Sequence, residues 1–417
     1  MHVLISGAGI AGPTLAYFLS KAGATITILE RSESLLPHGQ NIDIKGSAVK
    51  VIETMGLIDQ LRKLNTTEMG AQFIDSKGRP FAQFPVTGAA SPTAEFEILR
   101  GDLAIILSDA TKEDPNVTYL LGTTIQEVIT NDNDTVKVKL SNGEVQEFDL
   151  LVAADGQWSK TRSQCFPSET VTVVDKGLYV AYFTVPRLSG DNAWWKIYHA
   201  LGSRIISLRP DPHGTIRALL GRMPCNDSQK KAWLEASKSD RDAQETLLKS
   251  EFADAGWQAQ RLLDAMGEAP DFYFQAVQQV KMSKWSNSRV VCLGDAAHAP
   301  TPLTGMGTSL AILGAYILAG ELSKLGDGDP PFQALEAYEN TFRPFVEKIQ
   351  KIPSFIPGIA HPGTPLKRWL FQTVVLIVSK IIANPLVVWV GKKFGGSYGA
   401  HEFPLPHFSK LDVEGGH

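Results

Sequence analysis

The stretch His2-Val3-Leu4-Ile5-Ser6-Gly7-Ala8-Gly9-Ile10-Ala11-Gly12 decides the fold. A short apolar run enters a G-x-G-x-x-G turn. A helical stretch from Pro13 to Ala22 and a second strand from Thr25 to Leu29 follow without a gap, and Glu30 closes that strand. Glycines in such a turn let backbone N–H groups approach a pyrophosphate, whose charge then sits at a helix N-terminus. An acid at the end of the second strand can accept hydrogen bonds from ribose hydroxyls. Glycine-rich turns are common, but strand, turn, helix, strand and acid in unbroken order point to a dinucleotide site. Gly7, Gly9, Ile10, Ala11, Gly12 and Glu30 are its candidate contacts. Arg31, Lys160 and Arg162 are candidates to steer phosphates, or else solvated charges.

Composition sets the outer bounds. At 417 residues the chain has room for two domains, or one large domain with insertions. Forty basic residues against 44 acidic ones leave no nucleic-acid footprint. Cys165, Cys225 and Cys292 are far apart and odd in number, with no C-x-x-C pair, which argues against a disulfide framework or a metal site. A strand that starts at residue 2 leaves no room for a signal peptide, so a cytoplasmic protein is expected.

Downstream, Asn41-Ile42-Asp43-Ile44 reads as a short strand and Gly46 to Met55 as a helix. Gly70 to Phe84 reads as a hairpin about Ser76-Lys77-Gly78. Arg100-Gly101-Asp102 opens an amphipathic helix. Strands are expected at 117–121, 124–130, 135–140 and 145–154, the last ending in an apolar run that enters Asp155-Gly156. Residues 171–285 change character. Four strand-like runs come first, then helices at 228–237 and 241–265, then a strand at 272–281. Arg289 to Leu293 returns to an apolar strand, followed by Gly294-Asp295-Ala296-Ala297-His298 and by Pro302-Leu303-Thr304-Gly305-Met306-Gly307-Thr308, which opens a helix to Leu325. Asp155-Gly156 and Gly294-Asp295 both place an acid and a glycine at a strand end, the edge where α/β folds bind ligands. Gly305 and Gly307 offer N–H groups to a planar ring.

These motifs in this order resemble those of the single-component flavoprotein monooxygenases of the para-hydroxybenzoate hydroxylase-like class. Asn41 to Ser47 and Gly305 to Ala311 look most like the branch of tetracycline-modifying and microbial secondary-metabolite enzymes. The resemblance implies an α/β fold, with a Rossmann-like FAD-binding domain, an inserted mixed β-sheet substrate domain and a C-terminal helix. The FAD-binding domain would take 1–70, 100–170 and 286–350, the substrate domain 71–99 and 171–285, and a bridging C-terminal segment 351–417. It implies that Glu30 binds the FAD ribose, Arg100 and Asp43 touch the flavin cofactor, and Asp295 binds the ribityl chain. Asp155-Gly156 would bridge FAD binding and NAD(P)H use. Reduced flavin would capture O2 as a C4a-hydroperoxide and hydroxylate a phenolic or polycyclic small molecule. Baeyer–Villiger or epoxide insertion, a reductase without oxygen insertion, and a non-catalytic dinucleotide-binding regulator are the alternatives. Ser309 and Gly314 stand where many members carry Asn and Asp, and the loop 35–40 lacks the arginine found in tetracycline-modifying relatives.

Other residues read two ways. His298 is a base or, more simply, a histidine hydrogen-bonded to backbone. Cys292 is core. Trp194 and Trp195 line a substrate pocket or pack the inserted sheet. No Asp/His or Tyr/Arg pair within 171–285 marks a dedicated base, so the sequence names no catalytic residue. The apolar segment 369–390 is interrupted by Lys380 and Asn384-Pro385. It is expected to dock across the two domains, with peripheral membrane contact as the alternative. A monomer or homodimer is expected.

Overall fold

The computed structural model describes residues 1–66, 68–86, 96–353, 355–383 and 402–411. It opens as the sequence predicts, with β1 (His2–Ser6), α1 (Ala11–Lys21) and β2 (Thr25–Leu29), the helix beginning two residues before Pro13. Next come β3 (Asn41–Ile44), α2 (Ser47–Thr54), α3 (Ile58–Lys63), and the hairpin β4 (Gly70–Ile74) and β5 (Pro80–Pro85). After β6 (Phe96–Leu99) and α4 (Arg100–Asp109) the chain makes β7 (Val117–Leu120), β8 (Ile125–Asn131), β9 (Val136–Leu140), β10 (Val145–Phe148) and β11 (Leu150–Ala153).

The run 145–154, read as one strand, is two. Asp149 ends the first, because its carboxylate accepts the N–H of His2 at 2.6 Å and its own N–H donates to the His2 carbonyl at 2.9 Å. β10 therefore stays in a three-stranded antiparallel sheet with β9 and β8, while β11 enters the main sheet beside β1. All four β11 residues are buried, as a strand covered on both faces requires.

After α5 (Lys160–Cys165) come β12 (Val171–Pro186), β13 (Trp195–Ala200), β14 (Arg204–Pro210) and β15 (Thr215–Arg222). Three helices follow, α6 (Asp227–Ala236), α7 (Arg241–Phe252) and α8 (Ala259–Met266). A single helix over 241–265 was expected. The chain turns instead at Gly256 and Trp257, both at positive φ (80° and 46°), and α8 starts afresh. β16 (Tyr273–Met282), β17 (Ser286–Asn287), β18 (Val290–Cys292), α9 (Asp295–His298), α10 (Gly307–Ser323) and α11 (Phe332–Gln350) come next. The C-terminal region holds α12 (Ile356–Ala360) and α13 (Pro365–Ile382).

Two large sheets organise the chain. In the first, β7, β2, β1, β11 and β18 run parallel, with β17 antiparallel at the edge. Its core packs Leu4, Ile5, Leu15 and Phe18 against α10. The second has the order β16-β12-β15-β14-β13-β4-β5, so the early hairpin joins strands from 171–282. Trp233, Phe252 and Leu262 from α6–α8 cover one of its faces. β6 is not part of that sheet. It pairs antiparallel with β3 in a ribbon of two strands.

The C-terminal helix is shorter than the apolar segment suggests, and residues 384–390 of that segment lie outside the described residues. α13 runs through Lys380 to Ile382 and sets Phe371 against Phe73 and His199, with ring centroids 6.2 and 4.7 Å apart. Residues 402–411 return to the first core, where Phe403, Phe408 and Leu411 are buried. No sequence pattern announces this return. Gly320 on α10 makes the seat, since a Cβ there would lie 2.2 Å from the Phe408 ring.

Gly320→Ala is therefore expected to lower stability by about 1–3 kcal/mol through overpacking. Adding Phe408→Ala should remove that increment, so the double variant costs less than the sum of the single ones. Denaturant titration of the four proteins checks this, and strict additivity would mean that the two residues do not touch.

Candidate active site

The carboxyl ends of β1, β2, β11 and β18 bring the separated motifs together. Gly7 has φ 114°, and a Cβ on it would sit 2.5 Å from the Ala154 carbonyl. A Cβ on Gly12 would meet the Gly7 carbonyl at 2.1 Å. Only glycine lets these backbones close up. Ile10 caps α1 and Ala11 begins it, so the first-turn N–H groups point out of the helix end. The Glu30 carboxylate accepts the N–H of Ala8 at 3.1 Å and of Ser32 at 3.0 Å, and Arg31 beside it is exposed.

Arg100 starts α4, and a Cβ on Gly9 would lie 3.6 Å from its guanidinium. Gly294 (φ 61°) packs against Ala11, and Asp295 opens α9 behind it. Asp295 is accessible to solvent although many protein atoms surround it. Desolvation raises its pKa, and Arg100 partly opposes the shift. Tyr273 on β16 lies within reach of the charges of Arg100, Asp295 and Arg31, and burial raises its pKa too.

The loop after α9 is strained where no glycine announced it. Thr301 is buried at φ 81°, a costly conformation for a β-branched residue. It is held by its own Oγ1, which accepts from Leu303 at 3.2 Å, and by β16, since Gln279 Nε2 donates to the Pro300 carbonyl at 3.2 Å. Pro302–Thr304 forms one 3-10 turn, Gly305 is left-handed, and Gly307-Thr308 begin α10. A Cβ on Gly307 would lie 3.9 Å from Asp295, and one on Gly305 would lie 3.1 Å from Lys45 Nζ and 3.5 Å from Asp43 Oδ2.

Asp155 turns inward. It accepts from Ser159 Oγ and, at 3.1 Å, from both the N–H and the Oγ1 of Thr161, fixing the start of α5. Gly156 beside it has φ 85°. Arg162 is neither a solvated charge nor a free phosphate ligand, since it is buried and donates to the carbonyls of Ala296 (2.7 Å) and Gln157 (3.0 Å). It ties the β11–α5 turn to α9.

A charge cluster that sequence reading missed lies next to Gly305. In the β3–β6 ribbon Asp43 stands directly opposite Glu97, a destabilising pairing of like charges. Lys45 holds Asp43 at 2.8 Å, and Arg209 of β14 holds Glu97 at 2.5 Å and Glu68 at 2.8 Å. The Trp195 ring stacks on the Arg209 guanidinium at 4.2 Å and its indole N–H donates to Ser207 Oγ at 2.5 Å. Trp194 is half-buried beside it. Burial, with Glu68 and Asp43 nearby, pushes the Glu97 carboxyl up to about 8 against the pull of Arg209. Tyr182, near Arg209, is pushed up to about 12 by burial.

With that geometry in view, the comparisons decide the family. The family described as FAD binding domain matches residues 1–352. The chain belongs to this family. It is 33% identical to an FAD-dependent monooxygenase, asL6, of Sarocladium schorii, over 98% of this chain and 99% of that one. It is 35% identical to monooxygenase CTB7 of Cercospora beticola, over 99% of both. Among solved structures it is similar to the tetracycline destructase Tet(55), with a TM-score of 0.76 and 28% identity, over 97% and 98% of the two chains. The protein is an FAD-dependent monooxygenase, and FAD is its cofactor.

Within this monooxygenase the departures at Ser309 and Gly314 have packing reasons. Ser309 is fully buried, and its Oγ accepts the Lys45 N–H at 2.9 Å, which fixes the end of β3. A Cβ on Gly314 would lie 3.1 Å from Phe342 and 3.3 Å from Leu293, so aromatic rings fill the space an aspartate would need. The backbone hydrogen bond expected for His298 is replaced by ring packing. Its imidazole lies 4.8 Å from Trp285 and 5.6 Å from Phe342, neither nitrogen has a hydrogen-bond partner among the described residues, and burial lowers its pKa to about 3. With its basicity lowered by burial, it is a weak proton acceptor. Cys292 is core, as expected.

Glu97→Gln tests the cluster by pH. Because folding raises the Glu97 pKa from 4.5 to about 8, its contribution to stability is full below 4.5 and is lost as pH rises through about 8. The glutamine variant should lack that loss, so its stability relative to wild type should improve with rising pH across this window. Denaturant midpoints at the two ends of the window read the difference; parallel curves would show Glu97 charged throughout.

Proposed function

We propose that this monooxygenase oxidises NAD(P)H and puts one atom of O2 into a phenolic or polycyclic small molecule. Substrate C–H, O2, NAD(P)H and a proton become substrate C–OH, NAD(P)+ and water. FAD fits the residues at the parallel sheet's edge. Gly7 and Gly12 exclude side chains from the first turn, so backbone can approach a pyrophosphate. In this reading Gly7, Gly9, Ile10, Ala11 and Gly12 hold that group, Glu30 takes the ribose hydroxyls with Arg31 beside it, and Gly294-Asp295 take the ribityl chain. Asp43, Arg100, Pro302, Gly305, Gly307 and Thr308 line the ring, and Asp155-Gly156 shape the adjoining turn. Bound FAD supplies the redox and oxygen chemistry. The chain's own work is to bind, orient and keep water away from the reacting partners.

The observation that carries the substrate reading is the cluster beside Gly305. Trp195 and Arg209 form an aromatic and cationic wall there, suited to an electron-rich ring bearing oxygen substituents. Glu97, whose carboxyl keeps its proton near neutrality, can exchange one with such a group. The name of the similar Tet(55) points to polycyclic compounds as a class to test first. The experiment is a panel of phenolic and polycyclic compounds scored by accelerated NAD(P)H oxidation with stoichiometric product. No acceleration by any of them would overturn the substrate class.

The purified protein is expected to be yellow, and Asp295→Ala to weaken FAD binding on the order of tenfold to a hundredfold, the loss of one charge-assisted hydrogen bond. Flavin titration measures it, and unchanged affinity would remove Asp295 from the ribityl contact.

Trp195→Ala should free Arg209 and misplace the substrate. NAD(P)H and O2 would still be consumed, with hydrogen peroxide replacing product. Peroxide and product per NAD(P)H are compared with wild type. Full coupling with slower NAD(P)H oxidation would mean that this wall serves nicotinamide instead.

A further inference from the structure

α13 has two faces. Phe371 and buried Ser379 turn inward, whereas Leu366, Trp369, Leu370, Val374, Ile377 and Ile381 are 50% to 72% exposed. Their spacing of three and four residues makes one continuous apolar stripe along the helix. Phe355 and Ile359, beside and on α12, are likewise 63% and 60% exposed. A patch of this size on a protein surface marks an interaction site. Among the described residues no helix is long and apolar enough to cross a membrane, so the stripe is not a span.

Charge tells what covers it. Between Glu347 and Glu402 the sequence carries seven basic residues and no acidic one, in a chain whose net charge is −4. Lys367 and Lys380, at the two ends of the stripe, are exposed. Two copies meeting through this face would bring like charges together, which disfavours a homodimer there. An apolar stripe with tryptophan at one end and lysines beside it matches a bilayer surface with anionic headgroups.

We propose that α12 and α13 seat this monooxygenase on anionic lipid, with the stripe at the acyl boundary and Lys367 and Lys380 at the headgroups. The attachment is peripheral and one-sided, through the face opposite Phe371.

Co-sedimentation of the full-length holoprotein with vesicles tests it, using phosphatidylcholine alone and phosphatidylcholine mixed with phosphatidylglycerol. Wild type should pellet with the mixed vesicles and be released in part by high salt. Leu370→Ser with Ile377→Ser should lower the bound fraction on both vesicles. Lys367→Glu with Lys380→Glu should weaken binding to the anionic vesicles alone, on the order of tenfold or more. Flavin absorbance reports that each variant is folded. Wild type left in the supernatant with both vesicles overturns the proposal. So does a wild-type dimer, by analytical ultracentrifugation, that Ile377→Ser dissociates, since a second copy would then cover the face. Equal binding to both vesicles, unmoved by charge reversal, overturns the anionic part.

Discussion

The approach of Gly7 to the Ala154 carbonyl is the constraint on which the site depends. It fixes the ends of β1 and β11 against each other, and Gly12 fixes the start of α1 against both. Gly294 then packs on Ala11, which sets α9 and Asp295 relative to the same turn. Three segments some 150 residues apart in sequence thus meet at one sheet edge. Each contact is made by backbone or by a methyl group, so none tolerates a larger side chain without moving the others.

The second joint is electrostatic. β3–β6 and the seven-stranded sheet meet through Arg209, which faces two buried carboxylates, with a third, Asp43, across the ribbon. A buried ion cluster of this kind seldom adds stability over apolar packing, but removing one partner leaves an uncompensated charge. Its value lies in fixing geometry. The cluster sets Lys45 and Asp43 beside Gly305, and Trp195 locks the guanidinium from the other side. Burial, helped by the neighbouring acids Glu68 and Asp43, is why Glu97 holds its proton to about 8 against the pull of Arg209.

What the sequence disclosed follows from the range of the interactions. Strand, turn and helix at 2–29 were legible because periodicity and glycine turns act locally. The strand-end positions of Asp155 and Asp295 were legible because each follows an unbroken apolar run. Glu97 was not, since its partner Arg209 lies on another sheet and only the register of β3 with β6 brings Asp43 opposite. Phe403, Phe408 and Leu411 looked like tail, because nothing nearby in sequence shows that Gly320 leaves room for a ring. Thr301 was hidden for the opposite reason, as its residue type argues against the conformation its neighbours impose.

The seat of α13 explains why that helix keeps its apolar stripe outside. Its inner contact is with Phe73 and His199, and His199 lies in turn near His361. Burial lowers the pKa of both histidines, that of His199 to about 3. Both are neutral at ordinary pH, so the inner side asks for aromatic contact and rejects a lysine. Lys367 and Lys380 share the exposed side with the remaining apolar residues, whereas half-buried Arg368 lies near enough to His199 to help lower its pKa. Acid acts on the seat and not on the stripe. As pH falls below about 6.5 the unfolded chain takes up protons that buried His199 refuses, and the stability of this contact declines toward its folded value of about 3. Near neutrality the helix is therefore held by rings on one side while its cationic, apolar surface stays turned away from the protein.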